Sequence, residues 1–257
     1  MTDMRLVFLG TNGWYATPLA NTVCALIETP KRYIVLDAGD GIWRLDEYAV
    51  DSSKPIDIFL SHFHLDHTIG LHIQPKFRLM KNKIRIFGMP GTKKWLGALV
   101  ASPYTASYDM LRKSGFDVQI NELREGDNRI DEYSVRCAPL VHADPCWGYR
   151  FELGGKTIAY CTDTGPCENL GALAKNADIL ITECGLMSGQ PSSPSWPHLN
   201  PEMAAQAAKD AGAGHLYLTH FAANLCKTKG DRLQTQAAAR RIFSASTAAV
   251  DRMSIRI

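Results

Sequence analysis

The chain has 257 residues, 46% of them hydrophobic and 21% charged, an ordinary globular composition with enough apolar material for a large buried core. Its formal net charge of +2 provides no whole-molecule field that would single out nucleic acid or an anionic membrane as partner. No apolar run reaches the length of a membrane helix, which excludes a helical membrane protein.

Residues 1–5 lead straight into the apolar run 6–9, with no long hydrophobic leader and no small-residue cleavage site, so no signal peptide is expected. The seven cysteines, Cys24, Cys137, Cys146, Cys161, Cys167, Cys184 and Cys226, stand singly and form no C-x-x-C pair. Reduced thiols and a cytoplasmic setting follow, and neither a disulfide framework nor a thiolate zinc cluster is expected. Cys161 lies two residues before Asp163 and within reach of that region, although a buried cysteine acting as a small hydrophobe is the commoner case.

Strand-length apolar runs rich in β-branched and aromatic residues fall at 6–9, 23–28, 33–36 and 56–60, the third broken by Asp37-Ala38-Gly39-Asp40-Gly41. A weaker helical pattern covers 92–100. Further strands are predicted at 84–87, 135–140, 149–153, 157–160, 179–182, 216–219 and 253–257. The clearest helix begins at Asn200-Pro201-Glu202, a capping residue, a first-turn proline and an acid, and should end near Gly212. A second weak pattern covers 231–243. No repeat and no linker interrupts the chain, so one domain over 1–257 is expected. The strands form runs of antiparallel-looking neighbours with helices between the groups, which predicts sheets packed together with helices outside.

Residues 60–67, Leu-Ser-His-Phe-His-Leu-Asp-His, read as a strand running off its end into a turn that carries three imidazoles and a carboxylate. His62 and His64 alternate along extended chain and so share a side, while Asp66 and His67 lie past the bend. Neutral imidazole and carboxylate suit zinc, manganese or iron, and the lack of thiolates points to a catalytic rather than a closed structural site. The bland alternative is a histidine-rich turn satisfying surface hydrogen bonds.

This H-x-H-x-D-H segment resembles the signature of the metallo-β-lactamase superfamily. The resemblance implies a four-layer αββα sandwich of the α+β class, with further ligands at His142, Asp163 and His220. On that basis His62, His64 and His142 would hold one divalent ion, Asp66, His67 and His220 a second, with Asp163 bridging them. Zinc is the first choice of metal. A shared water of lowered pKa would supply the nucleophilic hydroxide, and Asp66 would also help to orient it.

Phe8-Leu9-Gly10-Thr11-x-Gly13 with Asn21-Thr22, and Leu36-Asp37-Ala38-Gly39-Asp40-Gly41, resemble the openings of ribonuclease Z and its phosphodiesterase relatives. Their glycines would let the backbone turn sharply beneath the metals. Glu183 and His198 match a catalytic Glu and His pair of those relatives, in which His198 would protonate the leaving alkoxide. Only residues 143–162 separate His142 from Asp163, enough for two strands and a turn, where ribonuclease Z carries a tRNA-clamping arm. The implied enzyme is therefore a dinuclear phosphodiesterase favouring a small-molecule phosphodiester, with nucleic acid an allowed partner, no membrane and a homodimer admitted. The alternatives are a carboxyl-ester, lactone or thioester hydrolase on the same metals, and a non-catalytic metal-containing binding protein.

Lys76, Arg78, Lys81, Lys83 and Arg85 form a run without acids, either a phosphate-attracting patch or a solvated strand face. Among Trp14, Tyr15, Tyr104, Tyr108 and Trp196, the last is the best candidate to line the site, since its loop leads to His198. His72 would support the ligands from behind, and His215 reads as ordinary strand-entry surface.

Overall fold

Runs such as Tyr-Ile-Val-Leu at 33–36 and Ile-Leu-Ile-Thr at 179–182 have no polar face to offer water, so they are stable only as strands covered on both sides. The computed structural model of the chain describes residues 4–113, 115, 116 and 118–257, and buries both runs completely. Met1 to Asp3, part of the opening stretch read in the sequence, lie outside the described residues.

In chain order the strands are β1 (Arg5–Gly10), β2 (Asn12–Gly13), β3 (Cys24–Glu28), β4 (Tyr33–Leu36), β5 (Ile56–Phe59), β6 (Ile84–Gly88), β7 (Val118–Glu122) and β8 (Gly126–Ile130). They continue with β9 (Tyr133–Leu140), β10 (Cys146–Leu153), β11 (Lys156–Cys161), β12 (Ile179–Glu183), β13 (His215–Thr219), β14 (Phe221–Ala222), β15 (Ser246–Ala248) and β16 (Ser254–Arg256). One sheet runs β16-β1-β3-β4-β5-β6-β7, and the other β15-β13-β12-β11-β10-β9-β8. Between them lies a core containing Phe8, Phe59, Phe151 and Tyr149, with the Phe59 ring meeting Phe151 edge-on at 4.9 Å.

The helices α1 (Leu65–Thr68), α2 (Gln74–Met80), α3 (Thr92–Leu99), α4 (Tyr108–Lys113), α5 (Glu168–Ala174), α6 (Pro201–Asp210) and α7 (Lys229–Arg240) complete the order. Leu45, Phe77, Leu96 and Tyr108 cover the outer face of the first sheet, while Leu170, Leu173, Ala204, Ala208 and Ala239 cover that of the second. The expected αββα layering is what forms.

The antiparallel-looking expectation holds for only half of each sheet. Strands β4 to β7 pair in parallel, as do β11, β12, β13 and β15. Parallel strands need crossovers, and α5, α6 and α7 supply them in the second sheet. Two-sided burial removes the alternation that would have signalled an exposed face.

Asn200 caps α6 by accepting from the Met203 N–H at 2.8 Å, as its sequence signature predicts. Helix α7 starts earlier than the pattern at 231–243 suggested, because Thr228 and Asp231 form a reciprocal capping box. Strands β7 and β8 and helices α2, α4 and α5 were not anticipated. Among the described residues no helix is long and apolar enough to cross a membrane.

One buried charge ties the two sheets together at β4 to β6. The fully buried Asp57 carboxylate accepts from Arg32 Nη1 at 2.6 Å, Arg85 Nε at 2.6 Å and the Tyr133 hydroxyl at 2.9 Å. Arg32 also grips Glu132 at 2.6 Å, just before β9. Asp57→Ala removes the buried carboxylate that Arg32, Arg85 and Tyr133 share and leaves the guanidiniums only the more exposed Asp131 and Glu132, so denaturant unfolding should show a loss of about 3–5 kcal/mol. An unchanged midpoint would show that the network carries no net stability.

Candidate metal centre

The candidate metal ligands all follow the carboxyl ends of strands, while His198 lies in the loop before α6. After β5 the chain stays extended through His62 and His64, then turns into α1, which carries Asp66 and His67. His142 follows β9, Asp163 follows β11, Glu183 ends β12 and His220 follows β13. Antiparallel pairing of β9 with β10 and of β10 with β11 aligns β9 with β11, so both deliver their ligands to one edge.

There His62, His64, His142 and Asp163 present ligand atoms within 4.8 Å of one another, and Asp66, His67 and His220 form a second such group. Asp163 lies between them, 3.2 Å from His220 Nε2, 3.5 Å from His67 Nε2 and 3.9 Å from both His62 Nε2 and His142 Nε2. Buried polar atoms ordinarily find partners. Here His62 Nε2, His67 Nε2 and Asp163 Oδ1 are buried with no hydrogen-bond partner. Converging unpaired nitrogens and a carboxylate oxygen are the donor set of a divalent cation, so the residues fit the ions that this fold implies.

The electrostatics agree. Burial, reinforced at His62 by the neighbouring His67, pushes the His62 and His142 imidazoles down, keeping them neutral as ligands must be. His67 goes the other way: burial opposes its charge, but Asp163, Asp37 and Asp66 overcome it and hold a proton there. Asp66 and Asp163 sit well below the usual carboxylate range, their burial outweighed by the surrounding imidazoles. A cluster of anions that retains a proton on His67 is one that a metal can occupy by displacing that proton.

Several residues that position the ligands were not recognised as such in the sequence. Asp37, fully buried with a left-handed backbone (φ 56°), accepts from His67 Nδ1 at 2.8 Å, the Ser61 N–H at 2.7 Å and the Tyr160 hydroxyl at 2.6 Å. That bond turns His67 Nε2 towards the cleft. Asp144 contacts His64 Nε2 at 2.8 Å, leaving Nδ1 to face the cluster. Asp37 lay within the quoted Leu36–Gly41 motif without a role of its own, and Asp144 carried no signal beyond lying two residues after His142.

Glu183 and His198 do meet, with His198 Nδ1 donating to Glu183 Oε1 at 2.7 Å. Glu183 is held in turn by the N–H groups of Thr164, Gly185 and Leu199. Burial disfavours charge on His198, yet the adjacent carboxylate and its hydrogen bond push the imidazole up to about 9.

The glycines of the opening motifs act through space rather than turning angle. Gly13 and Gly39 are not in the left-handed region. A Cβ on Gly13 would lie 2.5 Å from His220 Cε1, and one on Gly39 2.3 Å from the Asp66 carbonyl oxygen. The backbone packs directly against two ligand residues. Arg232, buried on α7, fixes this loop by donating to Thr11 Oγ1 at 2.6 Å and Asn12 Oδ1 at 2.7 Å.

The basic run divides. Lys76 and Arg78 ride on α2, Lys76 pairs with Asp46 at 2.7 Å, and Arg85 on β6 belongs to the Asp57 network. Trp196 does reach the site, face to face with His64 at 5.5 Å and with Trp14 at 5.5 Å. His72 contacts only its own turn, through the Ile69 carbonyl, because the helical register after Asp66 carries it to the exposed side. His215 pairs with Thr247 across the neighbouring strand. Cys161 is packed in the core against α5, where burial raises its thiol pKa.

A family model described as the beta-lactamase superfamily domain matches residues 32–221. Ribonuclease Z of Acaryochloris marina is 28% identical over 290 aligned positions, covering 90% of each chain. Since 90% of 257 residues is about 231, roughly sixty of those positions fall opposite gaps in this chain. The fold is similar to that of the metallo-beta-lactamase fold protein YhfI from Bacillus subtilis, with a TM-score of 0.83, 20% identity and 100% of both chains covered. It is also similar to human tRNase Z, short form, with a TM-score of 0.71, 21% identity and 98% of both covered.

Gly13→Ala should displace His220 while leaving the sheets intact. Metal analysis should then show affinity at the Asp66, His67 and His220 cluster weakened about 10–100-fold, with an unchanged circular dichroism spectrum. Full metal retention would mean that the close backbone approach has no part in holding His220.

Proposed function

This chain belongs to the beta-lactamase superfamily, and on that premise we propose that it is a two-metal phosphodiesterase acting on a small phosphodiester, with zinc as the favoured metal. The observation that carries this reading is the pair of adjoining ligand clusters, with Asp163 of the first 3.5 Å from His67 and 3.2 Å from His220 of the second, and the Glu183 and His198 pair at their side. His62, His64 and His142 would hold one ion, Asp66, His67 and His220 the other, and Asp163 would bridge. Bound there, a divalent pair supplies Lewis acidity, acidifying water and drawing charge from phosphoryl oxygens.

The chain's own groups do the rest. Asp66, which accepts from the Trp14 N–H at 2.7 Å, is fixed where it can orient the attacking water. With Nδ1 committed to Glu183, His198 keeps its transferable proton on Nε2 and delivers it to the departing alkoxide. A pKa near 9 keeps that proton in place at neutral pH.

The ribonuclease Z relative supports phosphodiester chemistry, and the connection between His142 and Asp163 supports a small substrate. Strands β10 and β11 are joined there by Gly154 and Gly155 alone, both in the left-handed region, so no arm extends from that hairpin.

The deciding experiment is hydrolysis of bis(p-nitrophenyl) phosphate by metal-free protein reloaded separately with zinc and manganese, beside a lactone and a thioester. Metal-dependent phosphodiester turnover is expected; turnover of the carboxyl substrates alone would overturn the reading. His64→Ala and Asp66→Ala should lose metal and turnover together. His198→Ala should keep its metal and lose about 10²–10⁴-fold with a poor alkoxide leaving group but little with nitrophenolate, which needs no proton. Because the raised pKa leaves His198 charged below about 9, the alkoxide rate should fall as pH passes that value, and the fall should vanish in His198→Ala.

A further inference from the structure

Directly beside the metal-binding edge lies a cavity of about 770 Å³ whose wall is formed by Phe63, Leu65, Trp95, Leu99 and Tyr104. His64 and Asp144 form its inner rim. His64 also belongs to the cluster with His62, His142 and Asp163, so one side chain borders both the cavity and the candidate metal centre.

The wall is largely aromatic. The Phe63 and Trp95 rings lie 4.8 Å apart at 52°. Trp95 is packed down on Gly91, where a Cβ would come within 2.9 Å of the indole. Among the described residues no lysine or arginine lines the cavity, and Asp144 is the one carboxylate that does. Such a site receives apolar rings and repels a second phosphate.

We propose that this cavity receives an uncharged aromatic group esterified to the scissile phosphate, making the preferred substrate a phosphodiester with one aromatic arm. The proposal rests on the phosphodiesterase reading above. With the phosphate at the clusters, the ester arm on the His64 side enters the cavity, and the opposite ester oxygen departs towards His198. Hydrolysis stays balanced in the ordinary way: water adds to phosphorus, the P–O bond to the leaving group breaks, and the aromatic arm remains on the phosphate monoester.

The test compares p-nitrophenyl ethyl phosphate with p-nitrophenyl 2-phenylethyl phosphate, which share a leaving group and similar intrinsic reactivity. The phenylethyl ester should show roughly 10- to 100-fold higher kcat/KM, mainly through KM. That ratio should collapse towards one in Trp95→Ala and in Ala98→Glu, the latter placing a charge on the exposed face of α3 at the cavity wall without disturbing the core. Equal kcat/KM for the two esters, or a ratio that survives both substitutions, overturns the proposal. If neither ester is hydrolysed, the phosphodiesterase reading fails, and calorimetry with zinc-loaded protein decides the cavity separately. Tighter binding of phenylethyl phosphonate than of ethyl phosphonate, lost in Ala98→Glu, supports it; equal or absent binding overturns it.

Discussion

The arrangement at the strand ends depends on one buried anion. Asp163 is 2% exposed, has one oxygen without a hydrogen-bond partner, and faces the imidazoles of His62, His67, His142 and His220. A carboxylate removed from water is costly unless positive charge answers it. His67 answers it partly, by holding a proton between Asp163, Asp37 and Asp66. The carboxylates that push the His67 pKa up mark where negative charge is in excess, and divalent cations would balance it.

Placing so many polar groups together requires a fold with many strand ends on one edge. Parallel pairing supplies this, because consecutive strands then finish on the same side. Strands β4 and β5 of one sheet bring Asp37 and the histidine-rich turn, while β11, β12 and β13 of the other bring Asp163, Glu183 and His220. The opposite ends of β4 to β6 carry a different solution to buried charge: Arg32, Arg85 and Tyr133 close completely around Asp57. One carboxylate is saturated by its own chain and stabilises the packing of the sheets. The other is left short of partners and binds.

The candidate ligand set was legible because its chemistry is concentrated: three imidazoles and a carboxylate within residues 62–67 have no common structural use. The later members, His142, Asp163 and His220, are single residues after ordinary strands, and only the resemblance picked them out. The layering followed from apolar runs, but the parallel halves did not, since a strand buried on both faces shows no alternation to betray its neighbours. Asp37 and Asp144 were passed over for a related reason. Their role is a hydrogen bond across long sequence distance, to His67 30 residues away and to His64 80 residues away, and a lone Asp carries no mark of its partner. Gly13 and Gly39 were recognised as constrained for the wrong cause, because the nearness of His220 and Asp66 is tertiary information.

The walls of the cleft bear on the substrate in the same physical terms. Trp196 lies against His64 on one side with Trp14 stacked behind it, and the cavity of Phe63, Trp95 and Tyr104 opens on the other. A protein that grips a long nucleic acid draws much of its affinity from lysine and arginine on successive phosphates. In this chain the net charge is +2, and two cations of the basic run are already paired within the chain, Lys76 with the exposed Asp46 and Arg85 with the buried Asp57. The β10–β11 hairpin that separates His142 from Asp163 in sequence is closed by two glycines. On the proposed reading, affinity beyond the scissile phosphate must come from apolar contact, which grows with the area of one well-seated group rather than with the length of a polyanion. On that reading the aromatic rings around His64 are what would supply contact beyond the scissile phosphate.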